Sequence, residues 1–570
     1  MSPLLRNALP TSFAAGVLSF LTYFMHGEHH LHVVLYIQLF VGSCLASLVI
    51  LTQLQQCTLS VAMTLVYQVG VTYLAGLYLS RAFYRLLLSP LNRFPGSKWA
   101  RLTSFWLPWQ NRRSDCFRQL KHLHDTFGPI VRIGPNNLSV AHHKAVQVIY
   151  GQGSLCTKAA WYDLTRPMVS LQTFRDSRLH TERRRVWSIA FGDKALRGYE
   201  QRLKVYREQL MLHLTESEGQ PVNVTRWFNL YSFDFMGDLA FGKPFDMLQQ
   251  GEHWAIQLLT AGLKPLAFAF PVWFFRVLIA IPGLSRDWWR FIDFCAQRME
   301  QRLRTPVEVP DIMSALSAPL KGKQPSSAEM HLLRGDAQLI VVAGRSVPAK
   351  PSFSFTSPPE KKYKYPDTPL MTPSDTTATT LSATIFQLAQ HPEQIEKLRK
   401  ELAPYMTEPN GEVLNEKIAN LEHLNAIINE VLRLHPPVPS MLQRKTPPEG
   451  IDIDGEFIPG NTVVSCPQYV LGRSSQIYEK PEEFIPERWY LQPDLIKEKK
   501  AWAPFSTGTY GCIGKPLALL NIRTTLARLV TQYDITFAPG EDGTSFEGKA
   551  TEKFTINFGD LMISFKKRGD

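Results

Sequence analysis

The sequence is poor in cysteine, and its cysteines are scattered. Seven occur among 570 residues, an odd number without a Cys-x-x-Cys pair, which excludes a disulfide framework and a zinc site built from clustered cysteines. Such cysteine usage is typical of a reducing compartment. No Gly/Ser linker divides the chain after its N-terminal region, so we expect one large domain there rather than a string of modules.

A recognisable nucleic-acid-binding module is also missing, although the net charge is +12. The basic residues are spread along the chain instead of gathering in one motif. We therefore expect no nucleic-acid partner. We interpret the excess positive charge as a surface that docks an acidic protein, supplemented by basic residues near a lipid surface.

Charged side chains are almost absent from three apolar stretches, at about 8–25, 32–52 and 58–79. Each approaches or exceeds the roughly 20 residues that span a bilayer. With three spans the extreme N-terminus would be lumenal; alternatively the first stretch, which is short and contains Pro10, lies in the membrane interface. Basic residues crowd the end of the third stretch and place that end in the cytosol by the positive-inside rule: Arg81, Arg85, Arg93, Lys98 and Arg101.

One cysteine near the C-terminus is distinguished by its neighbours. Cys512 lies between Gly511 and Gly514, just ahead of an amphipathic stretch over 515–532. A thiol at a helix start is stabilised as a thiolate by the helix dipole, and flanking glycines let a flat, bulky group approach the backbone. Taken alone, this motif fits a buried structural cysteine as well as it fits a metal ligand.

With these residues the chain resembles the cytochrome P450 family of haem-thiolate monooxygenases. The haem-binding loop of that family reads Phe-x-x-Gly-x-Arg-x-Cys-x-Gly, and Phe505, Gly508, Cys512 and Gly514 match it at the same spacing. The resemblance implies that Cys512 is the axial ligand of the haem iron. Tyr510 departs from the pattern, because it stands where the family usually has arginine or histidine, and it implies a weaker, uncharged contact with a haem propionate.

Two further motifs follow the family order. Glu430 and Arg433 lie three residues apart, on one face of a predicted helix, and resemble the Glu-x-x-Arg pair of the family. Arg488, followed by Trp489, resembles its Pro-Glu-Arg-Phe segment. The resemblance implies an ion-paired triad of Glu430, Arg433 and Arg488 behind the haem. An isolated Glu–Arg pair would more often be a surface contact worth under about 1 kcal/mol.

The N-terminal half agrees with this assignment. His180 and Arg184 occupy the positions at which the family's C-helix reaches the haem propionates, and Arg444 fits a further propionate contact. A solvated helix face is the alternative role, and it fits Arg183 or Arg185 better than it fits His180 and Arg184. The family fold is mainly α with small β-sheets, and two short strands are predicted within residues 128–140.

Two segments in the middle of the chain resemble halves of the family's oxygen-activating helix. Ala343-Gly344 ends the first and Ser374-Asp375-Thr376-Thr377 begins the second, so that together they give the family motif Ala-Gly-x-Asp-Thr-Thr. The resemblance implies that Asp375 and Thr376 relay protons to bound oxygen, as an acid–alcohol pair can. A cap at a helix start, made by Ser374 or Asp375, is the alternative role.

The halves are separated by a proline-rich insert of 29 residues, 345–373, which contains seven prolines. Each interior proline would cost a helix roughly 3 kcal/mol, so the insert cannot continue the helix. Two explanations compete: a surface loop that leaves the helix and returns, or untranslated intervening sequence carried into the predicted protein. We favour the second explanation, because 29 codons preserve the reading frame and rejoining restores the motif.

The family resemblance implies a monooxygenase that inserts one oxygen atom from O2 into a lipophilic small molecule, by hydroxylation or epoxidation, in fungal secondary-metabolite biosynthesis. Its cofactor would be haem b (iron protoporphyrin IX). Electrons would come from NADPH through NADPH-cytochrome P450 reductase, with cytochrome b5 as a further candidate partner. Family substrate contacts would fall near 165–178, 268–275, 438–442 and 554–556.

The expected organisation is a membrane anchor over 1–88, with up to three transmembrane helices, and a catalytic domain over 89–570 that is interrupted at 345–373. The expected location is the endoplasmic reticulum membrane, with the catalytic domain facing the cytosol. Two alternatives stay open. One is a membrane-anchored haem-binding protein with impaired or no turnover, because the insert breaks the central helix; the other is an enzyme that catalyses a reductase-free rearrangement or dehydration.

Overall fold

The computed structural model describes residues 3–250, 269–305, 310–320, 322–344, 376–408, 411–440 and 442–569. Helices dominate this described chain, and its strands form small sheets of two to five strands. The mainly α class with small β-sheets is therefore confirmed.

The α-helices are numbered in chain order. In the first half they are α1 (Pro3–Ser19), α2 (Val33–Val49), α3 (Leu59–Phe83), α4 (Lys98–Leu102), α5 (Trp106–Gln110), α6 (Cys116–Phe127), α7 (Ala145–Tyr150), α8 (Ser177–Ile189), α9 (Asp193–Glu216), α10 (Val224–Phe241) and α11 (Met247–Gln250). In the second half they are α12 (Val272–Ala280), α13 (Arg286–Arg304), α14 (Ile312–Ser317), α15 (Ser327–Gly344), α16 (Thr376–Gln390), α17 (Pro392–Leu402), α18 (Asn415–Ile418), α19 (Glu422–Leu434), α20 (Gln468–Gly472), α21 (Lys515–Gln532) and α22 (Thr544–Gly548).

The strands are short. They are β1 (Ile130–Gly134), β2 (Asn137–Val140), β3 (Thr157–Lys158), β4 (Pro221–Asn223), β5 (Arg444–Lys445), β6 (Ile451–Ile453), β7 (Glu456–Ile458), β8 (Val463–Ser465), β9 (Tyr533–Phe537), β10 (Thr551–Lys553), β11 (Thr555–Asn557) and β12 (Met562–Lys567). The largest sheet has the order β1-β2-β8-β5-β3. The predicted pair of strands within 128–140 is the antiparallel hairpin of β1 and β2.

The edge of this sheet brings two cationic residues together. Strand β3 pairs antiparallel with β5, and the register puts Lys158 opposite Arg444. Like charges directly opposite each other destabilise a sheet, so this pair requires an anion or another compensating interaction nearby.

The N-terminal helices form a bundle. Turns of π-helix over Phe20–Phe24, Ile50–Leu54 and Tyr84–Leu88 extend α1, α2 and α3. Two of the extended helices, Val33–Leu54 and Leu59–Leu88, are long and apolar enough to cross a membrane. The first apolar stretch is also helical but is not among these two.

Helices α1 and α3 pack closely and run parallel. The Ser12 hydroxyl donates to the Val69 carbonyl at 2.7 Å, and further along both helices the rings of Phe20 and Tyr84 are 6.1 Å apart. Glycine permits this approach, because a Cβ added at Gly76 would lie 2.2 Å from the carbonyl oxygen of Phe13. The end of α1 and the end of α3 therefore lie on the same side of the bundle.

The catalytic part is built around two helices that flank the insert. Helices α15 and α16 both pack against α10, and the side chains from Thr377 to Leu388 on α16 are buried. This shared neighbour is consistent with the prediction that the two helices are halves of one central helix. The insert itself, 345–373, lies outside the described residues.

Candidate active site

Cys512 lies in a tight loop immediately before α21. Its backbone N–H donates to the carbonyl oxygen of Phe505 at 2.8 Å, and the N–H of Gly511 donates to Gly508 at 3.0 Å. Gly508 has a φ of +63°, and a Cβ there would lie 2.5 Å from the carbonyl oxygen of Tyr150. Only glycine fits this position, so the backbone at the C-terminal end of α7 can pack directly against the cysteine loop.

The thiol of Cys512 is accessible in a way that the other cysteines are not. All seven cysteines lie in the described residues, and Cys512 is the exposed one. The residue is exposed as a whole, but protein atoms surround its thiol on most sides, and this burial raises the pKa of the thiol. The backbone N–H groups of Gly514 and Lys515 and the charge of Arg184 act in the opposite direction.

The expected stabilisation of a thiolate at the helix start is therefore present but is outweighed by desolvation. The pKa of the free thiol lies above its usual value, not below it. A bound metal cation is the kind of group that reverses this balance, because a coordinating thiol loses its proton.

Three basic side chains converge on the ring of Tyr510. Lys158 Nζ lies 4.8 Å and Arg444 Cζ lies 4.9 Å from the ring centroid. The imidazole of His180 meets the same ring edge to face, with the centroids 4.7 Å apart. We call these three residues, together with Arg184, the cationic cradle. Arg184 connects the cradle to the thiol, because it donates to the carbonyl oxygen of Gly511 at 2.7 Å.

The cationic cradle is electrostatically strained. Burial, followed by the charges of Arg444 and Arg184, lowers the pKa of Lys158 to about 6. Burial, followed by the charges of Lys158, Arg184 and Arg444, lowers the pKa of His180 to about 3. Within the described chain no carboxylate pairs with these four side chains, and His180 Nδ1 and Arg444 Nε have no hydrogen-bond partner.

These observations fit a haem. Buried cations and hydrogen-bond donors without acceptors destabilise a protein unless anions pair with them. A haem would provide two such anions, its propionates. The donors lie beside an accessible thiol that is suited to ligate iron. His180, Arg184, Arg444 and Tyr510, which the resemblance predicts as propionate neighbours, are all brought together here; their contacts with the cofactor stay predictions.

The predicted triad also assembles. Arg433 Nε donates to Glu430 at 2.9 Å, and Arg488 Nε donates to its other carboxylate oxygen at 2.9 Å. The indole N–H of Trp489 adds a third donor at 2.9 Å. The side chains of Glu430, Arg433 and Arg488 are fully buried. This is therefore a core ion-pair cluster rather than a surface contact, and removing one partner of such a cluster costs about 3–5 kcal/mol.

Of the predicted oxygen-activating pair, Asp375 and Thr376, only the threonine lies in the described residues. Thr376 is the first residue of α16, whereas Asp375 lies outside the described residues. Their role in proton delivery stays a prediction.

The two arginines on α8 that were considered for a solvated face differ in their surroundings. Arg183 is not on a solvated face, because its Nε donates to the buried carboxylate of Asp336 on α15 at 2.6 Å. The same carboxylate accepts the backbone N–H of Leu171 at 3.0 Å. Arg183 therefore joins α8 to the central helix, while Arg185 is exposed as expected.

A cavity of about 250 Å³ has Gln443, the neighbour in sequence of the cradle residue Arg444, in its lining. Trp161 and Phe554 form one wall, with stacked rings 5.2 Å apart. Phe270 and Trp273 also line it, so parts of the predicted segments 268–275 and 554–556 meet here. Phe268 and Met441, which belong to predicted substrate segments, lie outside the described residues.

Lys158 and Trp161 were missed from the sequence. Nothing in the local pattern distinguishes them, because each acquires its role through a partner far along the chain: Arg444 across the sheet for Lys158, and Phe554 for Trp161. The only sequence feature that could have pointed to a role near the haem was the position of Lys158 in the segment before the predicted C-helix.

An accessible cysteine before a long helix, beside unpaired cations and backed by a buried Glu–Arg–Arg cluster, defines a haem-thiolate protein. Comparison with known proteins agrees. The cytochrome P450 family model matches residues 95–334 and 367–558. The chain belongs to the cytochrome P450 family.

Three curated relatives cover nearly the whole chain. Cytochrome P450 monooxygenase notG' of Aspergillus versicolor is 44% identical over 556 residues, which cover 97% of each chain. Tryprostatin B 6-hydroxylase of Aspergillus fumigatus is 44% identical over 568 residues, covering 98% of this chain and 96% of the relative. The enzyme of that name from Neosartorya fischeri is 43% identical over 569 residues, covering 98% of each chain.

These findings confirm the main functional prediction. The chain is a cytochrome P450 monooxygenase of fungal secondary metabolism, with haem b as its cofactor. It acts on a small molecule and takes NADPH-derived electrons from a redox partner. No finding favours the alternative of a haem protein with impaired turnover.

Proposed function

We propose that this monooxygenase hydroxylates a lipophilic small molecule related to tryprostatin B, the compound in the names of two relatives. The observation that supports a functional haem site most directly is the accessible thiol of Cys512 beside a cationic cradle without counter-ions. The aromatic side chains of the cavity, Trp161, Phe270, Trp273 and Phe554, support a lipophilic substrate, because aromatic and apolar walls favour such ligands.

The residues divide the work as follows. Cys512 holds the iron, while Lys158, His180, Arg184 and Arg444 hold the propionates. The haem supplies the oxygen chemistry when bound, which a thiolate ligand favours by donating electron density.

On the distal side, Asp375 and Thr376 move protons toward the oxygen site. Trp161 and Phe554 orient the substrate and exclude water. This assignment of roles is part of our proposal.

The proposed electron donor is NADPH-cytochrome P450 reductase, with cytochrome b5 as a second candidate. Donor docking requires an accessible basic surface near the thiolate. Arg185 on α8 and Lys515 at the start of α21 are both exposed and flank the cysteine loop. Opposite charge would steer an acidic donor to this face, with a rate that falls as salt rises.

We propose an endoplasmic reticulum location with three membrane spans and a cytosolic catalytic domain. Although α1 is not apolar enough to qualify by composition, it packs along α3 from Ser12 to Phe20. A helix that runs parallel to a membrane-spanning helix and contacts it along its length lies at the same depth in the bilayer. Arg81 and Arg85 at the end of α3 support a cytosolic position for that end.

We propose the domain boundaries of 1–88 and 89–570, and we propose that residues 345–373 are intervening sequence. The family match stops at 334 and resumes at 367, so it skips most of the insert. Sequencing of mature transcripts tests this directly, since codons 345–373 present in every message would overturn it.

The function is tested with the purified protein, its reductase and NADPH. We expect a reduced carbon-monoxide band near the position typical of haem-thiolate proteins, a substrate-induced Soret shift with tryprostatin B, and a product heavier by one oxygen atom. A Cys512→Ala variant should lose the haem-thiolate spectrum. An unchanged spectrum in that variant would contradict the ligand assignment, whereas normal spectra without binding of tryprostatin B would contradict only the substrate.

A further inference from the structure

The loop between the first two anchor helices, residues 25–32, lies against the catalytic part of the chain. We call it the anchor loop. Its Glu28 accepts two hydrogen bonds from the Arg175 guanidinium, at 2.7 and 2.9 Å, and one from Lys445 at 3.1 Å. Two residues further on, His30 Nε2 lies 2.9 Å from Asp163 Oδ2. Two groups of the anchor loop therefore meet three charged residues of the catalytic domain.

Glu28 is unusual in the sequence as well. It is the only acidic residue before Asp115, so the whole anchor presents a single carboxylate, and that carboxylate is ion-paired. The partners hold its pKa below the usual value against the effect of burial, with Arg175 the first of them and Lys445 the second. A lone acid placed opposite two bases is the pattern expected of a specific contact rather than of a solvated face.

The anchor loop is also ordered internally. The hydroxyl groups of Tyr23 and Tyr36, on the helices that flank it, lie 2.8 Å apart. His29 Nδ1 lies 3.1 Å from the Tyr36 hydroxyl, and its Nε2 contacts the carbonyl oxygens of Tyr23 and His26. The loop therefore presents Glu28 and His30 from a folded platform, which reduces the entropy lost when they bind.

The contacts continue from the anchor loop to the haem site. Arg175 also pairs with Asp163, and its Nε donates to the Lys158 carbonyl at 3.0 Å. Lys158 belongs to the cationic cradle, and Lys445 follows the cradle residue Arg444 in β5. The segment that precedes α8 is thus tied to the anchor on one side and to the cradle on the other.

The anchor loop reaches the substrate cavity too. His30 lines the cavity of about 250 Å³ together with Trp161, Trp273 and Phe554. Helix α12, which begins at the cavity with Val272, packs against the membrane-spanning helix α2. One side of the cavity is therefore formed by His30 of the anchor loop and by a helix that packs against the anchor.

We propose that the anchor loop is a docking element that completes the wall of the substrate entrance and holds that entrance at the bilayer surface. Glu28 is the positioning residue, and the ligand is a lipophilic molecule that arrives from the membrane. The parallel course of α1 and α3 returns the loop to the end of the bundle where the catalytic domain begins, which makes the contact possible. The inference rests on the proposed membrane location and haem function.

The test uses the full chain in lipid nanodiscs and two nitrogenous haem ligands, followed by stopped-flow Soret spectroscopy. Imidazole is small and water-soluble, whereas 1-dodecylimidazole partitions into the bilayer. With Glu28→Gln we expect the association rate constant of 1-dodecylimidazole to fall about two- to fivefold, the range expected for loss of a partly exposed ion pair. Imidazole binding should be unchanged. Glu28→Lys should give the larger effect, and Glu28→Asp should restore most of the rate.

The matched control is Glu408→Gln, which removes an exposed carboxylate that makes no ion pair within the described chain and should change neither rate. Normal 1-dodecylimidazole kinetics in both Glu28→Gln and Glu28→Lys would overturn the proposal. So would an equal loss for both ligands, which would indicate damage to the haem site. If the unmodified protein gave no Soret shift with imidazole, the proposed function itself would fail, and this inference with it.

Discussion

Among single residues, Lys158 lies beside Tyr510, which stands where the family usually has a cation. A propionate next to Lys158 would favour the protonated amine and so provide the charge that the haem loop lacks. The Lys158→Met replacement should remove one propionate partner and accelerate haem transfer to apomyoglobin about ten- to a hundredfold, as expected for a hydrogen bond to a charged group worth roughly 1.5–3 kcal/mol. Transfer is followed by the Soret band and does not depend on turnover.

Lys445→Met is the control for Lys158→Met. Lys445 lies on the paired strand β5 but contacts Glu28 instead of Tyr510. It should keep the haem as the unmodified protein does. Equal haem retention in both variants would show that Lys158 has no part in binding the propionates.

Glu552 is a second residue with a measurable signature. Burial raises its pKa to about 7 from 4.5, so the folded protein keeps a proton that the unfolded chain has already released. The free energy of unfolding should therefore fall as the pH rises from about 4.5 to about 7, by about 3 kcal/mol from this group, and should stay level above that.

The measurement is the thermal midpoint of the detergent-solubilised protein between pH 5 and 8. Glu552→Gln keeps an acceptor for the Phe117 N–H and the Ser440 hydroxyl, which lie 3.0 and 2.6 Å from the carboxylate, but it cannot titrate. Its midpoint should vary less with pH than that of the unmodified protein. An identical slope in the two proteins would rule out Glu552 as the titrating group.

Among the elements, the close packing of α1 against α3 depends on a glycine, Gly76. Gly76→Leu would force a side chain into the backbone of α1, because even a Cβ at this position lies 2.2 Å from the Phe13 carbonyl. We expect α1 to separate from α3 and to lose its place across the bilayer. An N-terminal glycosylation acceptor reports this: it should be glycosylated in the unmodified protein and largely unmodified in the variant.

Gly42→Leu is the matched control on α2, since a Cβ there meets no atom within 4 Å. It should leave glycosylation unchanged. Absence of glycosylation in the unmodified protein would contradict the lumenal N-terminus and with it the three-span topology.

The elements also indicate what sequence patterns can predict. Helix α21 spans Lys515–Gln532, which are the bounds of the amphipathic stretch predicted over 515–532, because amphipathic spacing is a local pattern. The Glu430–Arg433 pair was predictable because three residues separate two positions on one helix face. The role of Arg183 was not predictable, because its partner Asp336 lies on another helix and no local pattern reports such a contact.

For the whole molecule, the insert decides whether the central helix is continuous. A chain without residues 345–373 joins Ala343-Gly344 directly to Ser374-Asp375, and we expect it to show NADPH-dependent turnover with the reductase. The longer chain should turn over about 10²–10⁴ times more slowly, the factor associated with loss of general acid–base catalysis. Equal turnover of the two forms would mean that the insert is tolerated as a loop.

At this scale the motifs predicted the family and the haem ligand, but not how the anchor meets the catalytic domain. The family and the haem ligand depend on residue types at fixed spacing around Cys512. The contact between the anchor and the catalytic domain depends on pairs such as Glu28 with Arg175, which are distant in sequence and meet only after the chain has folded.

The dependence of α1 on α3 has a consequence for biogenesis. Gly76 and its neighbours leave the ribosome well after Phe13, so the least apolar helix of the anchor has no stabilising partner when it first enters the translocation machinery. In the proposed three-span topology, retention of α1 in the lipid then requires that α3 arrives before α1 is released. Slow elongation between the two segments should therefore produce chains with an inverted N-terminus.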